Sequence, residues 1–310
     1  MDRAEILNAP ALPFSAASGC PQSRQRIFSG VCHGTLGELL QGPFVSNRQV
    51  CIGLISLPIK RYSWMHFTYG DDGDLLVDLA EKEKCRRVIE LYLSRHRRAL
   101  PRGRWSCESE LLQGKGMASS TADMVATIRC LDALFGTSSP HALIADLLRQ
   151  VERSDSVFLD TYALYLSARQ KVIRYLGSEL QFHACYIDEG HVVDTEQAGP
   201  ALLTYYQQHL AAYQRNLDAA LDAFRRQDSA AIAHCATISA RLSQGVVPKQ
   251  HLDTLLSQQR RFAADGIVVA HTGSLIGYLF VTRPDPVHMG ELSAFFRSLG
   301  HQCRFAQTGF

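Results

Sequence analysis

Residues 111–123 read LLQGKGMASSTAD. The Gly114–Lys115 pair has the look of a phosphate loop, yet Gly116 follows the lysine, and no G-x-x-x-x-G-K-[ST] run occurs in the chain. Three readings stand: a damaged P-loop, a turn, or a different loop for holding phosphate. Upstream, WSCESELL alternates, with Trp105, Cys107, Ser109 and Leu111 on one side and Ser106, Glu108 and Glu110 on the other. That pattern predicts a half-buried strand. Downstream, Met124, Ile128, Leu131 and Phe135 recur at helical spacing, which predicts a helix from near Ser120, with Gly136 placed to end it. In a strand–loop–helix unit, Gly114 and Gly116 let the backbone turn close to a ligand. The first N–H groups of the helix and its positive end then suit an anion. Ser119 and Ser120 add hydroxyls, one of which could ligate Mg²⁺ on a phosphate. The competing reading is a plain helix cap, because Ser120 and Asp123 approximate a capping box. On this stretch alone both stay open.

Length and composition narrow the classes. At 310 residues the chain exceeds the usual single core, so two domains or one large α/β unit are expected. Hydrophobic residues make up 46% and charged residues 20%, as in ordinary soluble globular proteins. With 32 basic against 30 acidic residues, the chain has no charge excess for binding nucleic acid or a membrane surface. The basic runs at 95–98 and 225–226 read as solvated helix faces. Nine cysteines without a C-x-x-C pair fit a reducing cytosol, and twelve histidines show no metal spacing. No apolar run approaches the ~20 residues of a spanning helix. Residues 1–24 lack a clean apolar signal core and read as a flexible tail, so a cytoplasmic location is expected.

Along the rest of the chain, residues 27–59 predict strands with a turn around HGTLGELLQG (33–42), and 84–98 predict a helix. A second helix is expected from Pro140, then strands in TYALYLS, KVIRYLG and FHACYID, with a hairpin at Gly190. Residues 200–264 read as helical. GIVVAH and GYLFVTR return to strands, and a helix near 287–299 and a strand in QCRFAQ finish the chain. This order suggests two α+β lobes with a boundary near 170–195.

Three motifs together carry a family resemblance. Gly116-Met117-Ala118-Ser119-Ser120-Thr121 resembles the second motif of the GHMP kinases, P-x-x-x-G-L-[GA]-S-S-[AT], with Leu112 in the place of its proline. CHGTLGELLQG (32–42) is similar to the first motif, with its Gly37-Glu38 pair, and VVAHTGSLIGYLF (268–280) resembles the third. In detail they look like the branch of L-threonine kinases of coenzyme B12 synthesis and propanediol use, with His33 where that branch has proline. The resemblance implies a two-lobed α+β fold, with a ribosomal-protein-S5-domain-2-like N-terminal lobe (25–180) and a ferredoxin-like C-terminal lobe (181–310). It implies ATP and Mg²⁺ as cofactors and a small hydroxy amino acid, first of all L-threonine, as acceptor. Serine, homoserine or another small amino alcohol remains an alternative acceptor. A non-catalytic sensor of the same fold is the alternative to an enzyme. A homodimer is left open.

On that resemblance, Gly114, Lys115, Gly116, Met117, Ala118, Ser119, Ser120 and Thr121 hold the nucleotide phosphates, and Lys115 belongs to the loop as a charge near them. Phosphoryl transfer also needs a metal ligand and often a base. QVERSDSVFLD (150–160) supplies acids at the right distance after the loop. The resemblance gives Glu152 and Ser120 to Mg²⁺ and Asp155 to the acceptor hydroxyl, with Asp160 competing as base and Asp123 as metal ligand. Glu38, Ser154, Ser156, His271, Thr272 and Gly273 are the expected acceptor side, Glu38 facing an ammonium group. Read from residues alone, Glu152 and Asp155 are an ordinary charged helix end, His33 is a loop histidine without chemistry, and His271 is equally a buried structural one.

Overall fold

The computed structural model describes residues 26–46, 49–70, 79–190 and 195–310. The expected tail, 1–24, lies outside them. Two long strands begin the fold, β1 (Ile27–Ser46) and β2 (Gln49–Tyr69), paired antiparallel from Ile27 opposite Thr68 to Ser46 opposite Gln49. The turn expected within 33–42 is therefore not there. HGTLGELLQG is strand, broken by register shifts at His33/Gly34, Thr35/Glu38 and Glu38/Leu40. The glycines that suggested a turn serve bulges, which bend a strand and re-aim its side chains. Gly37 has φ 62°, and a Cβ there would lie 2.4 Å from the Val269 carbonyl oxygen. Only glycine fits that backbone and that approach.

The chain continues through α1 (Glu83–His96), β3 (Gly103–Ser109), α2 (Ser119–Phe135), α3 (His141–Arg149), β4 (Tyr162–Leu166) and β5 (Lys171–Gly177). Then come β6 (Phe182–Asp188), α4 (Thr195–Gln208), α5 (Leu210–Arg226), α6 (Ser229–Ser243) and α7 (Leu252–Gln258). Last are β7 (Gly266–Val269), β8 (Leu275–Phe280), α8 (Pro286–Ser298) and β9 (Arg304–Thr308). The sheet runs β1-β7-β8-β6-β9-β2-β4-β5, with β3 on β2. The hairpin expected at Gly190 falls on 191–194, outside the described residues; β6 itself pairs with β8 and β9.

The bulged middle of the β1–β2 hairpin is where the C-terminal strands join. Glu38 pairs with Val269 of β7, and Ile59 of β2 pairs with Thr308 of β9. A main core under α2 gathers Leu39, Ile55, Leu57, Val125, Ile128 and Phe158, all 1% exposed or less. A second core, with Phe262, Ile267, Tyr278 and Phe296, lies between β7–β8 and the helices α7 and α8. Burial of each such side chain contributes on the order of 1.5–3 kcal/mol. The C-terminal half thus meets the hairpin around both Glu38 and Ile59.

Candidate active site

The loop of residues 111–118 enters α2 through Ala118, whose φ of 54° is left-handed. A non-glycine residue there costs on the order of 1 kcal/mol and is held only by its surroundings. Those surroundings are the other two motifs. The carbonyls of Gly116 and Met117 accept the N–H groups of Gly37 (3.1 Å) and Thr35 (3.0 Å) from β1, and the Lys115 carbonyl accepts the N–H of Ser274 (3.2 Å). Gly273 packs so tightly that a Cβ would lie 2.2 Å from the Lys115 oxygen, and one on Gly116 would lie 2.2 Å from Ala270 Cβ. With its carbonyls drawn inward, the loop has its amides on the other side. The first-turn N–H groups of Ser119, Ser120 and Thr121 find no acceptor among the described residues. Such an array is an anion cradle.

The capping-box reading fails here. The N-cap is Ala118, with no side-chain cap, and Asp123 is committed elsewhere. Asp123 is 4% exposed and takes the Lys82 ammonium at 2.6 Å and the Ser63 hydroxyl at 2.5 Å. Lys82 and Ser63 thereby hold Asp123 at the wall of a cleft. Ser120 instead donates to Glu152 Oε1 at 2.8 Å, and Lys84 holds Glu152 Oε2. Met117 is 1% exposed and gives the loop only its backbone, while its Sδ accepts the Leu112 N–H. Beside the loop, this open cleft of ≈ 360 Å³ is walled by Glu81–Cys85, Gln113, Gly114, Ser119, Ser120 and Asp123.

Asp155 is half-buried and has no hydrogen-bond partner among the described residues. Burial, and then the negative charges of Glu38 and Glu152, push its carboxyl up to about 7, with Arg153 opposing. Asp160 does not compete with it. That carboxylate is exposed and pairs with Arg129 (3.9 Å) and His141 (3.8 Å). Ser154 was expected against an acceptor but is 3% exposed and donates to Gln170 Oε1 at 2.7 Å. Gln170 also donates to the Glu152 carbonyl (3.3 Å) and takes the Tyr165 hydroxyl, so this turn pins the acidic segment in place. Ser156 is buried likewise, near Ser56 Oγ at 3.4 Å.

Glu38 is 7% exposed, and its Oε2 accepts both the backbone N–H of His271 (2.9 Å) and the ring Nδ1–H (3.1 Å). With that proton on Nδ1, His271 Nε2 accepts from Ser239 Oγ at 3.0 Å. His271, 1% exposed, therefore orients Glu38 instead of touching a ligand. Gly273 likewise supports the phosphate loop, and Thr272 beside it is half-buried. Lys115 is already paired. Its Nζ lies 3.3 Å from Asp188 Oδ2 and donates to the Gly190 carbonyl at 3.2 Å, turned across the loop toward the end of β6. His33 sits at 2.9 Å from the Gly34 oxygen, edge-on to Phe310, and burial lowers its pKa.

Sequence reasoning missed three charged residues. Lys84 holds Glu152 across 68 positions. Arg153 donates from Nε to Ser167 Oγ at 2.9 Å and flanks Asp155. Lys249 is buried beneath Gly273. Periodicity and local motifs hold no trace of such pairings, which the fold alone creates.

No group of three or more His, Cys, Asp or Glu converges as a metal site among the described residues. None of the described helices is long and apolar enough to cross a membrane.

Known proteins resemble this chain in sequence and in fold. Residues 83–167 match the family model described as GHMP kinases N terminal domain. The chain is 26% identical over 252 residues to an L-threonine kinase of Citrobacter freundii, covering 80% of this chain and 84% of the relative. It superimposes on Streptococcus pneumoniae phosphomevalonate kinase in complex with phosphomevalonate and AMPPNP at a TM-score of 0.66, with 14% identity over 92% of this chain and 100% of the other. Homoserine kinase from Cytophaga hutchinsonii gives a TM-score of 0.64, with 15% identity over 92% and 95%. The three motifs clamped on one phosphate-type loop thus lie in a mixed α/β chain whose residues 83–167 match the GHMP kinases N-terminal domain, and whose relatives include an L-threonine kinase.

Proposed function

We propose that the protein transfers the γ-phosphoryl group of ATP, with Mg²⁺, to the side-chain hydroxyl of L-threonine, giving O-phospho-L-threonine and ADP. The observation that carries the reading is the Ser120–Glu152 contact of 2.8 Å at the mouth of the amide cradle, with Asp155 three residues further on. A hydroxyl and a carboxylate are hard oxygen donors, so the pair fits Mg²⁺. Two protein ligands suffice for an ion that takes its other ligands from phosphates and water. When bound, Mg²⁺ spreads the charge that builds on the transferring phosphoryl group.

The chain's own groups do the rest. The amides of Ser119, Ser120 and Thr121 and the α2 N-terminus receive phosphate oxygens, and the cleft beside Gly114 takes the remainder of the nucleotide. Asp155 accepts the acceptor's hydroxyl proton, and a carboxyl near 7 is well matched to that task at neutral pH. Glu38, held by His271, and Arg153, held by Ser167, put opposite charges near Asp155. An ammonium and a carboxylate on one small acceptor answer that arrangement, as does the name of the L-threonine kinase relative. A coupled ADP assay with L-threonine, L-serine and L-homoserine tests the assignment. A faster reaction with serine or homoserine overturns threonine but leaves the kinase, whereas ATP binding without turnover on any of them favours a sensor.

A further inference from the structure

Lys249 lies between α6 and α7 and is 2% exposed. Gln244 fixes its backbone on both sides, accepting its N–H at 2.8 Å and donating to its carbonyl at 3.0 Å. The side chain turns inward, and Nζ donates to the Gly273 carbonyl, its one acceptor among the described residues. An ammonium has three donors, and burying one against a single neutral acceptor is costly. A Met or Leu would fill the space without that cost, so the charge calls for a role.

Its surroundings supply one. Gly273 is the residue pressed on the Lys115 carbonyl, and Ser274 donates to the same oxygen at 3.2 Å. The lysine thus reaches the phosphate loop through one intervening residue. The charged groups facing it are Glu189, after β6, and Glu38, on β1. Glu189 is engaged in capping, accepting the N–H groups of Gln250 (3.1 Å) and His251 (2.8 Å). His271 stands two residues before Gly273, and the Lys115–Asp188 pair lies across Ser274, whose hydroxyl donates to Asp188 at 2.5 Å.

We propose that Lys249 is a buried positioning residue of the phosphate site, holding Gly273 against the loop and lending a fixed positive charge to anions bound on the loop's far side. The proposal rests on reading the loop as the nucleotide phosphate site. Burial lowers the Lys249 pKa to about 8, with Glu189 and Glu38 opposing. The charge is therefore present at pH 7 and lost by pH 9.5, and phosphate affinity falls over that interval. At an effective dielectric of about 20, one charge acting over roughly 10 Å is worth about tenfold in affinity.

The test is ADP binding by calorimetry at pH 7, 8 and 9.5 for the wild type, Lys249→Arg and Lys249→Met. The wild type should weaken about tenfold across the series. Lys249→Arg, charged throughout, should stay flat, and Lys249→Met should be weak and flat. An equal pH slope in Lys249→Arg, or wild-type affinity at pH 7 in Lys249→Met, overturns the proposal. If Lys249→Met does not fold, the Arg variant decides alone. Failure of the wild type to bind ADP at pH 7 refutes the phosphate-loop reading instead, whereas ADP binding without pH dependence refutes only the role of Lys249.

Discussion

Ser120 Oγ donates to Glu152 Oε1 at 2.8 Å across 32 positions of sequence, joining the first turn of α2 to the segment that follows α3. Nothing about helix capping requires that contact, because the cap is at Ala118. It pairs a hydroxyl and a carboxylate at the edge of an array of amides unpaired among the described residues, which is where a phosphate-bound cation belongs. Ser120→Ala is therefore expected to lower turnover at least tenfold while stability changes by about 1.5–3 kcal/mol, the range for one hydrogen bond to a charged group. Steady-state rates beside a thermal melt separate the two. Unchanged turnover with a shifted melt would reduce the serine to a structural role.

Glu152→Gln keeps the size and the hydrogen bond to Ser120 but removes a charge from the proposed cation site. Turnover should fall at ordinary Mg²⁺ and recover partly as Mg²⁺ is raised. A loss that no Mg²⁺ concentration restores would place Glu152 outside metal binding, with Lys84 as its structural partner.

Asp155→Asn cannot accept a proton, and general-base assistance typically contributes 10²–10⁴-fold, so kcat should drop by about that range with nucleotide binding kept. The wild type needs the carboxylate form. With a pKa raised to about 7 by burial and by Glu38, kcat/KM should rise with pH through about 7. Glu38→Gln removes a neighbouring negative charge, the Asp155 pKa falls, and the limb should move to lower pH. A limb that stays in place in Glu38→Gln would contradict the coupling.

Gly273→Ala introduces a Cβ 2.2 Å from the Lys115 oxygen, a backbone atom that cannot move aside without shifting the loop. Stability should fall by about 1–3 kcal/mol, as for other overpacked sites. ADP affinity should fall with it, and calorimetry on the folded variant measures this. Wild-type affinity would show that the third motif does not set the loop's position.

L-Threonine should be preferred over L-serine by about 1–3 kcal/mol in kcat/KM, the worth of one methyl in a fitted apolar pocket. Competition between the two acceptors, read by product mass, measures the ratio directly.

Much of this was legible in sequence because it is local. The alternation of WSCESELL and the spacing of Met124, Ile128, Leu131 and Phe135 are written in neighbouring residues, and β3 and α2 follow them. The misreadings come from longer range. Glycines at 34, 37 and 42 look like a turn, but pairing with β2 keeps all three in a 20-residue strand, with irregular register around Gly34 and Gly37 and the Val269 carbonyl pressed on Gly37. Nor does sequence show the Lys115–Asp188 ion pair, which the end of β6 brings together. Ser154 looks free until Gln170 closes on it. His271 was open between chemistry and structure, and only the fold shows Glu38 on one ring nitrogen and Ser239 on the other.

The central claim is phosphoryl transfer from ATP to the threonine hydroxyl. The most direct measurement is phosphorus NMR of the protein with ATP, Mg²⁺ and L-threonine. The account predicts O-phospho-L-threonine and ADP appearing in equal amounts, both abolished without threonine and strongly slowed in Asp155→Asn. ATP that stays intact with L-threonine, L-serine and L-homoserine alike, in a protein that binds it, would contradict the account.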